Sequence, residues 1–230
     1  MTLLKIHSIY SALEGEGVHI GTPTTLVRFQ GCDEKCKNCD TPDSWNKKHG
    51  SPYTVEMVME EVQSLPAKRV SITGGDIMLQ PQGLYKLIFA LQDQQYLVNL
   101  ELTGQEYYNF IQFNSLLTYL SIDIKPPSTG VTPNIAAIQK HLTDSVRGRQ
   151  FKIVVADEVD LEFALSTFAA LAKVHPYENY VITPCYTTKQ DSFDYSFIET
   201  IIDQVILSKL PIRVILQQHK VIFGSKAKLV

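Results

Sequence analysis

The sequence is poor in cysteine, with four among 230 residues, and three of these four fall between positions 32 and 39. A secreted disulfide framework spreads an even set of cysteines along the chain, so this pattern argues against one. A chain of this length buries roughly 70% of its unfolded surface and needs no disulfide to hold its core. Clustered thiols more often bind metal, which predicts a metal-binding loop.

The sequence also lacks long apolar runs and an excess of positive charge. No run approaches the roughly 18 apolar residues that a membrane-spanning helix needs. The first ten residues, MTLLKIHSIY, are too interrupted by polar residues for a signal peptide. A formal net charge of −3 argues against a general nucleic-acid-binding protein, which usually presents a basic face. We therefore expect a cytoplasmic protein without nucleic-acid or membrane partners.

Short apolar runs rich in β-branched residues alternate with helical patterns. Seven runs predict strands: Thr24–Gln30, Arg69–Thr73, Tyr96–Thr103, Tyr119–Lys125, Phe151–Ala156, Tyr180–Thr183 and Arg213–Leu216. Apolar residues at helical spacing predict helices over Tyr53–Leu65, Pro81–Gln92, Asp160–Lys173 and Phe197–Val205. This alternation predicts an α/β fold with a parallel sheet and right-handed crossovers. Because seven strands fall short of a closed eight-fold barrel, we expect a partial (open) β/α barrel of about six parallel strands, abbreviated and TIM-like. No internal repeat, low-complexity tract or linker stands out, so we expect residues 1–230 to form one domain.

The cysteine cluster directly follows the first predicted strand. Cys32, Cys36 and Cys39 have the spacing Cys-x3-Cys-x2-Cys. Three thiolates can bind one face of a four-iron, four-sulfur (4Fe–4S) cluster and leave the fourth iron open, whereas electron carriers usually supply four cysteines. An iron with an open site can take a cofactor or a substrate. A zinc site completed by a histidine such as His49 is the alternative that the residues leave open.

This spacing after a first strand resembles the radical S-adenosylmethionine (SAM) superfamily. The resemblance implies that SAM chelates the open iron and that one electron from the cluster cleaves it to a 5′-deoxyadenosyl radical. The segment Ser71–Asp76 (SITGGD) is similar to the glycine-rich motif of the superfamily, which implies SAM contacts at Gly74, Gly75 and Asp76. Glycine permits a close approach of the backbone to the ligand. The superfamily usually has glutamate and proline where this chain has Asp76 and Ile77.

Further segments resemble the 7-carboxy-7-deazaguanine synthase family of the queuosine and 7-deazapurine pathway. They are Ser11–Gly17, Gly21–Pro23, Val27–Arg28, Cys39–Thr41 with Trp45, Leu100–Gly104, Ile122–Gly130 and Gln218–Lys220. The resemblance extends over nearly the whole chain. It implies that the substrate is 6-carboxy-5,6,7,8-tetrahydropterin, that its ring contracts with loss of ammonia, and that SAM is regenerated. It also implies a one-electron reductant such as flavodoxin and a homodimer.

The same resemblance implies roles for single residues. The substrate contacts would be Glu14, Glu16, Arg28 and Thr103; Lys125 and Ser128 would contact SAM; and Thr41 would bind Mg²⁺. Arg28 can form a forked pair with a carboxylate, and Glu16 can accept pterin N–H groups. The family usually has glutamine at the position of Glu14, and an ionised carboxylate there can accept hydrogen bonds but cannot donate them.

Other interpretations stay open from the sequence. A glycyl-radical-enzyme activase shares the cysteine spacing and the small size, and a non-catalytic iron–sulfur or zinc-binding module belongs to a different class. Asp123 and Lys125 lie on one side of a predicted strand and could simply pair with each other. His219 and Lys220 could be polar surface. We interpret Cys185 as structural, because a fourth cysteine ligand would close the open iron.

Overall fold

Strands and helices alternate through the computed structural model, which describes residues 3–110, 112–113, 117–143, 148–186 and 192–224. The strands are β1 (Leu4–Leu13), β2 (Pro23–Phe29), β3 (Ser51–Tyr53), β4 (Arg69–Gly74), β5 (Leu97–Leu102), β6 (Thr118–Asp123), β7 (Gly148–Val155), β8 (Asn179–Pro184) and β9 (Ile212–Val214). The α-helices are α1 (Val55–Ser64), α2 (Pro81–Asp93), α3 (Ile135–Thr143), α4 (Glu158–Ala172), α5 (Tyr195–Ser208) and α6 (Gln218–Phe223). In these ranges no helix is both long and apolar enough to cross a bilayer.

The strands form one sheet in the order β3-β1-β2-β4-β5-β6-β7-β8-β9. Strand β1 is antiparallel to its neighbours β2 and β3, and every pair from β2 to β9 is parallel. The two edge strands, β3 and β9, are not paired with each other in the described part of the chain, so the barrel is open. The α/β prediction of a partial barrel is confirmed, with seven parallel strands instead of about six.

Each of the seven predicted strands and four predicted helices is present, but the sequence pattern did not predict β1, β3, α3 and α6. In β1 the pairing register shifts between Ile6 and Ser8, as it does at a bulge. A bulge inserts an extra residue and breaks the apolar alternation by which a strand is recognised. Strand β3 has only three residues, one of them Pro52 at the sheet edge. Helix α6 has six residues and buries none of them.

The parallel strands have one apolar face and one polar face. In β7, Phe151, Ile153 and Val155 belong to the same buried cluster as the helix residue Phe168. Between them, Lys152 points to the concave side of the sheet, where it meets carboxylates. Successive side chains of a strand point to opposite faces, so a polar residue inside an apolar run marks the inner face. The sheet therefore buries its core against the helices and directs its polar residues into the open barrel.

The N-terminus of helix α4 holds two loops together at the carboxyl edge of the sheet. It is capped by Asp157, whose carboxylate accepts from the backbone N–H of Asp160 at 2.9 Å. The buried carboxylate of Asp160 accepts from the backbone N–H groups of Ser128 (2.9 Å) and Ala156 (3.0 Å). One side chain thus holds the loops after β6 and β7 together beside the barrel opening.

Candidate active site

A cavity of about 690 Å³ opens at the carboxyl ends of the parallel strands. Eleven of the residues predicted to bind substrate, cofactor or metal line it: Glu14, Glu16, Arg28, Cys32, Cys36, Cys39, Thr41, Gly74, Gly75, Thr103 and Lys125. Residues far apart in the sequence therefore meet in one place. In α/β barrels this edge of the sheet is where active sites are found.

Two predicted cofactor-binding residues, Asp76 and Ser128, are not among the residues that line the cavity. The carboxylate of Asp76 caps a short 3₁₀ helix (Ile77–Leu79) by accepting from the backbone N–H of Met78 at 2.9 Å. The hydroxyl of Ser128 accepts from the side chain of Asn38 at 3.4 Å, and Asn38 does line the cavity. Ser128 is thus connected to the cavity through Asn38, and Asp76 stabilises the start of the short 3₁₀ helix.

The cysteine loop is held against the barrel by backbone hydrogen bonds. The N–H of Cys32 donates to the carbonyl of Trp45 at 3.2 Å, and the N–H of Cys39 donates to that of Cys36 at 3.1 Å. The cysteines are not in disulfides, and burial raises the pKa of the Cys36 and Cys39 thiols. Cations such as cluster irons favour the thiolate form, so these partly buried thiols suit a metal cluster that brings its own positive charge.

The zinc alternative fits the geometry less well. His49, its candidate fourth ligand, is exposed, hydrogen-bonds to Asn46 at 3.2 Å, and does not line the cavity with the cysteines. Over the described ranges, no three His, Cys, Asp or Glu side chains converge on a position for a single ion. A 4Fe–4S cluster takes each thiolate on a different iron, so its cysteines need only surround one cavity.

The glycine-rich loop packs directly on the cysteine loop. The backbone N–H of Asp76 donates to the carbonyl of Gly31 at 2.8 Å. A Cβ added to Gly75 would overlap this carbonyl oxygen and lie 2.7 Å from Cβ of Cys32. Glycine is therefore required at position 75 by the contact between the two loops, in addition to any approach of a ligand.

We expect Gly75→Ala to lower the iron and sulfide content of the reconstituted protein severalfold, because the new methyl group would push the cysteine loop away from the barrel. Gly21→Ala is the control: its φ of +80° strains alanine, but its Cβ would meet only the Gln218 side chain, at 3.5 Å, so no neighbouring loop is displaced. Iron and sulfide analysis with the visible absorption spectrum measures the effect. Equal cluster content in both variants would contradict this explanation of the glycine.

The loop after β1 carries two glutamates into the barrel. Leu13 pairs with the first residue of β2, so this loop begins at the amino ends of the parallel strands. It then enters the concave side, where the N–H of Val18 donates to Gln150 at 2.8 Å and Glu16 pairs with Lys152 at 2.9 Å. This path explains how a motif outside the strand-end loops reaches the same cavity.

Lys152 is the centre of a buried ion-pair network that the sequence analysis missed. Its Nζ lies 2.9 Å from Glu16, 3.3 Å from Asp123 and 3.7 Å from Glu101, and the lysine is 5% exposed. Although burial opposes its charge, the three carboxylates raise the pKa of Lys152 well above its ordinary value. The signal that could have predicted a buried ion pair is the lysine inside the apolar run FKIVVA, between Phe151 and Ile153.

The pair of Asp123 and Lys125 lines the cavity next to Lys152. Their side chains are 3.1 Å apart, as the structural alternative for these two residues predicted. Burial opposes the charge on Asp123, but Lys125 and Lys152 hold its pKa below the ordinary value. Both members also line the cavity, so pairing does not remove Lys125 from the site.

A basic corner surrounds Arg28 near the end of β2. Its guanidinium donates to the Thr41 hydroxyl at 3.0 Å and to the Tyr10 hydroxyl at 3.3 Å. The Thr41 hydroxyl donates to Asp40 at 2.9 Å, and Lys220 lies 3.7 Å from the other oxygen of Asp40. Although desolvation opposes ionisation, Lys220 and Arg28 lower the pKa of Asp40. The corner is suited to an anionic group of a ligand.

The last described helix, α6, covers one side of the cavity. Both His219 and Lys220 line it, so they are not merely polar surface. The ring of His219 lies against Gly15 in the loop after β1. Cys185, interpreted from the sequence as structural, also lines the cavity, and its thiol lies 3.7 Å from the carbonyl of Tyr186.

Glu14 is more deeply buried than the other acidic residues that line the cavity. It is 7% exposed and accepts a hydrogen bond from the hydroxyl of Ser71. Burial, followed by the charge of Glu101, raises the pKa of Glu14 to about 7. The expectation of an ionised carboxylate that cannot donate is therefore incomplete, because burial favours the protonated form of Glu14, which can donate a hydrogen bond.

Comparison with known proteins agrees with the cysteine geometry. Residues 13–128 match the family model described as "4Fe-4S single cluster domain". A crystal structure of QueE from Escherichia coli superposes with a TM-score of 0.72, covering 94% of this chain and 95% of that chain at 21% identity. This likeness concerns the fold. The three-cysteine loop, the open barrel and the domain match define the protein as a radical SAM enzyme with an iron–sulfur cluster.

Curated relatives identify the family. The 7-carboxy-7-deazaguanine synthase of Chlorobaculum tepidum is 30% identical over 98% of this chain and 96% of its own length. The enzymes of the same name from Methanospirillum hungatei and Bacillus subtilis are 32% and 28% identical, over 95% and 93% of this chain and 85% and 93% of their own lengths. The chain belongs to the 7-carboxy-7-deazaguanine synthase family. Membership favours the synthase interpretation over a glycyl-radical activase or a non-catalytic module.

Proposed function

We propose that the protein converts 6-carboxy-5,6,7,8-tetrahydropterin into 7-carboxy-7-deazaguanine and ammonia inside this cavity. Substrate and product differ by one molecule of ammonia, so the overall reaction is neither an oxidation nor a reduction. The observation that carries the proposal is the set of side chains that line the cavity: a basic corner at Arg28, acidic residues around Lys152, and the three cysteines. This pattern complements a ligand that has a carboxylate and an N–H-rich pterin ring.

Cys32, Cys36 and Cys39 would hold the 4Fe–4S cluster, and the backbone at Gly74 and Gly75 would bind SAM beside it. When bound, cluster and SAM supply a carbon-centred radical that takes a hydrogen atom from the substrate. Lys125 lines the cavity with its ammonium directed to Asp123, and Ser128 is linked to the cavity through Asn38. We propose that these two residues act on SAM as the resemblance implies, while Asp76 supports the loop by capping it.

The basic corner would orient the substrate carboxylate. Arg28 lines the cavity beside Thr41 and Tyr10, to which its guanidinium donates, and Thr41 and Asp40 are neighbouring hard oxygen donors. Magnesium favours such oxygen ligands and keeps waters or ligand oxygens in the rest of its shell. We propose that Thr41 contributes to a Mg²⁺ site here.

The acidic side would hold the pterin ring. Glu16 accepts a hydrogen bond from Lys152 and keeps further acceptor capacity for ring N–H groups. Thr103 follows β5 and lines the cavity, so its hydroxyl is available to the same ligand. The ring would thus be fixed by acceptors on one side while the carboxylate is fixed by donors on the other.

We also propose an electron donor, an oligomeric state and a cellular compartment for the enzyme. A one-electron reductant such as flavodoxin would reduce the cluster, a second copy would complete a homodimer, and the protein would act in the cytoplasm as one domain over residues 1–230. These proposals rest on the family to which the chain belongs.

We expect Arg28→Ala to raise the KM for the pterin by about tenfold to a hundredfold, because a hydrogen-bonded charge on the substrate loses its partner. SAM cleavage without coupled product should persist. Steady-state kinetics with separate measurement of 5′-deoxyadenosine test this. Arg213→Ala, an exposed arginine of β9, is the matched control and should leave KM within twofold. Loss of the cluster in Arg28→Ala would show instead that Arg28 maintains the fold of the cysteine loop.

A further inference from the structure

Glu14 lines the cavity as a buried acid that has no ion-pair partner among the described residues. None of the ion pairs found over the described ranges includes Glu14, whereas Glu16 and Asp123 both pair with Lys152. A buried carboxylate without a paired cation favours its neutral form, because water no longer stabilises the charge.

The hydrogen bonds around Glu14 bring a second acid into its environment. The Ser71 hydroxyl donates to Glu14, and the Asn99 amide donates both to the Ser71 oxygen at 3.3 Å and to Glu101 at 2.9 Å. Two carboxyl groups are thus linked through one serine and one asparagine. Like charges that share a site raise the affinity of one of them for a proton.

Charges from the surrounding strands do not reverse this preference. The groups that act on Glu14 are Glu16 on its own loop, Arg69 of β4, Glu101 of β5 and Lys152 of β7. Lys152 is shared among Glu16, Glu101 and Asp123, so its charge is already distributed over three carboxylates. Arg69 begins β4, two positions before Ser71, and forms no ion pair with Glu14 among the described residues.

We propose that Glu14 binds the substrate as a neutral carboxylic acid that donates its proton in a hydrogen bond to the pterin ring, in the way that the amide of a glutamine would. The inference rests on the proposed function. A carboxylic acid has one donor and one acceptor, as does one edge of a side-chain amide. The pterin edge with adjacent ring N–H and carbonyl groups is complementary to both. Glu14 would therefore determine specificity without requiring glutamine.

The proposal predicts a pH dependence that glutamine lacks. With a pKa of about 7, the fraction of protonated Glu14 falls about tenfold between pH 6 and pH 8. In the reconstituted holoenzyme, kcat/KM for the pterin should therefore fall about tenfold more in the wild-type protein than in Glu14→Gln over this range. The ratio of variant to wild-type kcat/KM should rise accordingly. Parallel pH profiles of the two proteins would overturn the proposal.

Infrared spectroscopy tests the proton on Glu14 without any turnover. The substrate-free wild-type protein should show the carbonyl stretch of a protonated carboxylic acid at pH 6 and lose it at pH 8, and Glu14→Gln should lack this band. Absence of the band at pH 6 would overturn the inference even if the pterin is converted. This result needs a spectrum of the wild-type protein alone. Failure of both proteins to convert the pterin at any pH, with the band present, would overturn the proposed function and the substrate contact together.

Discussion

Replacing Cys36 with alanine is expected to abolish the 4Fe–4S cluster and all cleavage of SAM. Each of the three cysteines would bind one iron, so the loss of one leaves two irons without a protein ligand and opens the cluster to water. Cys32→Ala and Cys39→Ala should give the same result, because the three thiols line one cavity. Iron and sulfide analysis, electron paramagnetic resonance of the reduced protein and an assay for 5′-deoxyadenosine measure the loss.

Cys185→Ala is the control for this series. Its thiol lines the same cavity, so it experiences the same exposure to iron and sulfide during reconstitution. It should retain about four irons per chain and cleave SAM, since a fourth cysteine ligand would leave no open iron for the cofactor. Loss of the cluster in Cys185→Ala would show that the assignment of the three ligands is wrong.

Replacing Lys152 with methionine is expected to destabilise the protein by about 3–5 kcal/mol at neutral pH, because it removes the shared cation of a buried network and leaves three carboxylates together. Denaturant unfolding of the cluster-free protein measures this. Lys173→Met, on an exposed lysine after α4, is the matched control and should change stability by no more than about 0.5 kcal/mol. Equal stability of the two variants would contradict the network.

The defect of Lys152→Met should also depend on pH. In the wild-type protein the pKa of Asp123 lies below its ordinary value, so its stabilising contribution is present above the ordinary pKa and is lost as pH falls through the lowered one. In the variant the carboxylates can be protonated in acid, which removes their mutual repulsion. The difference in unfolding free energy between Lys152→Met and wild type should therefore shrink as the pH is lowered toward 4.

Much of the fold could be predicted because helices and parallel strands have local periodic patterns. The run 151–156 was identified as a strand from its apolar residues, and the structure agrees. Its inner face was not identified, because a single lysine in an apolar run has no local feature that distinguishes a buried ion pair from an exposed charge. The three carboxylates that explain Lys152 come from the loop after β1 and from β5 and β6.

The site could be predicted where spacing alone limits the chemistry, as it does for the three cysteines. It could not be predicted where tertiary contacts decide. The segment Gln218–Lys220 resembles the family, but the sequence could not tell whether His219 and Lys220 are polar surface; the position of α6 brings them to Gly15 and Asp40. The protonation of Glu14 likewise depends on burial and on Glu101, a residue of a different strand. Asp76 caps a short 3₁₀ helix, a role that its place in the motif did not suggest, and its contact with SAM stays a prediction.

An anaerobic turnover assay tests the central claim most directly. Protein reconstituted with iron and sulfide is incubated with dithionite, SAM, Mg²⁺ and 6-carboxy-5,6,7,8-tetrahydropterin, and the products are followed by mass spectrometry. The account predicts 7-carboxy-7-deazaguanine and ammonia in equal amounts, with many turnovers for each SAM consumed. Accumulation of 5′-deoxyadenosine without carboxydeazaguanine would contradict it, because the radical would then form while the pterin is not its substrate.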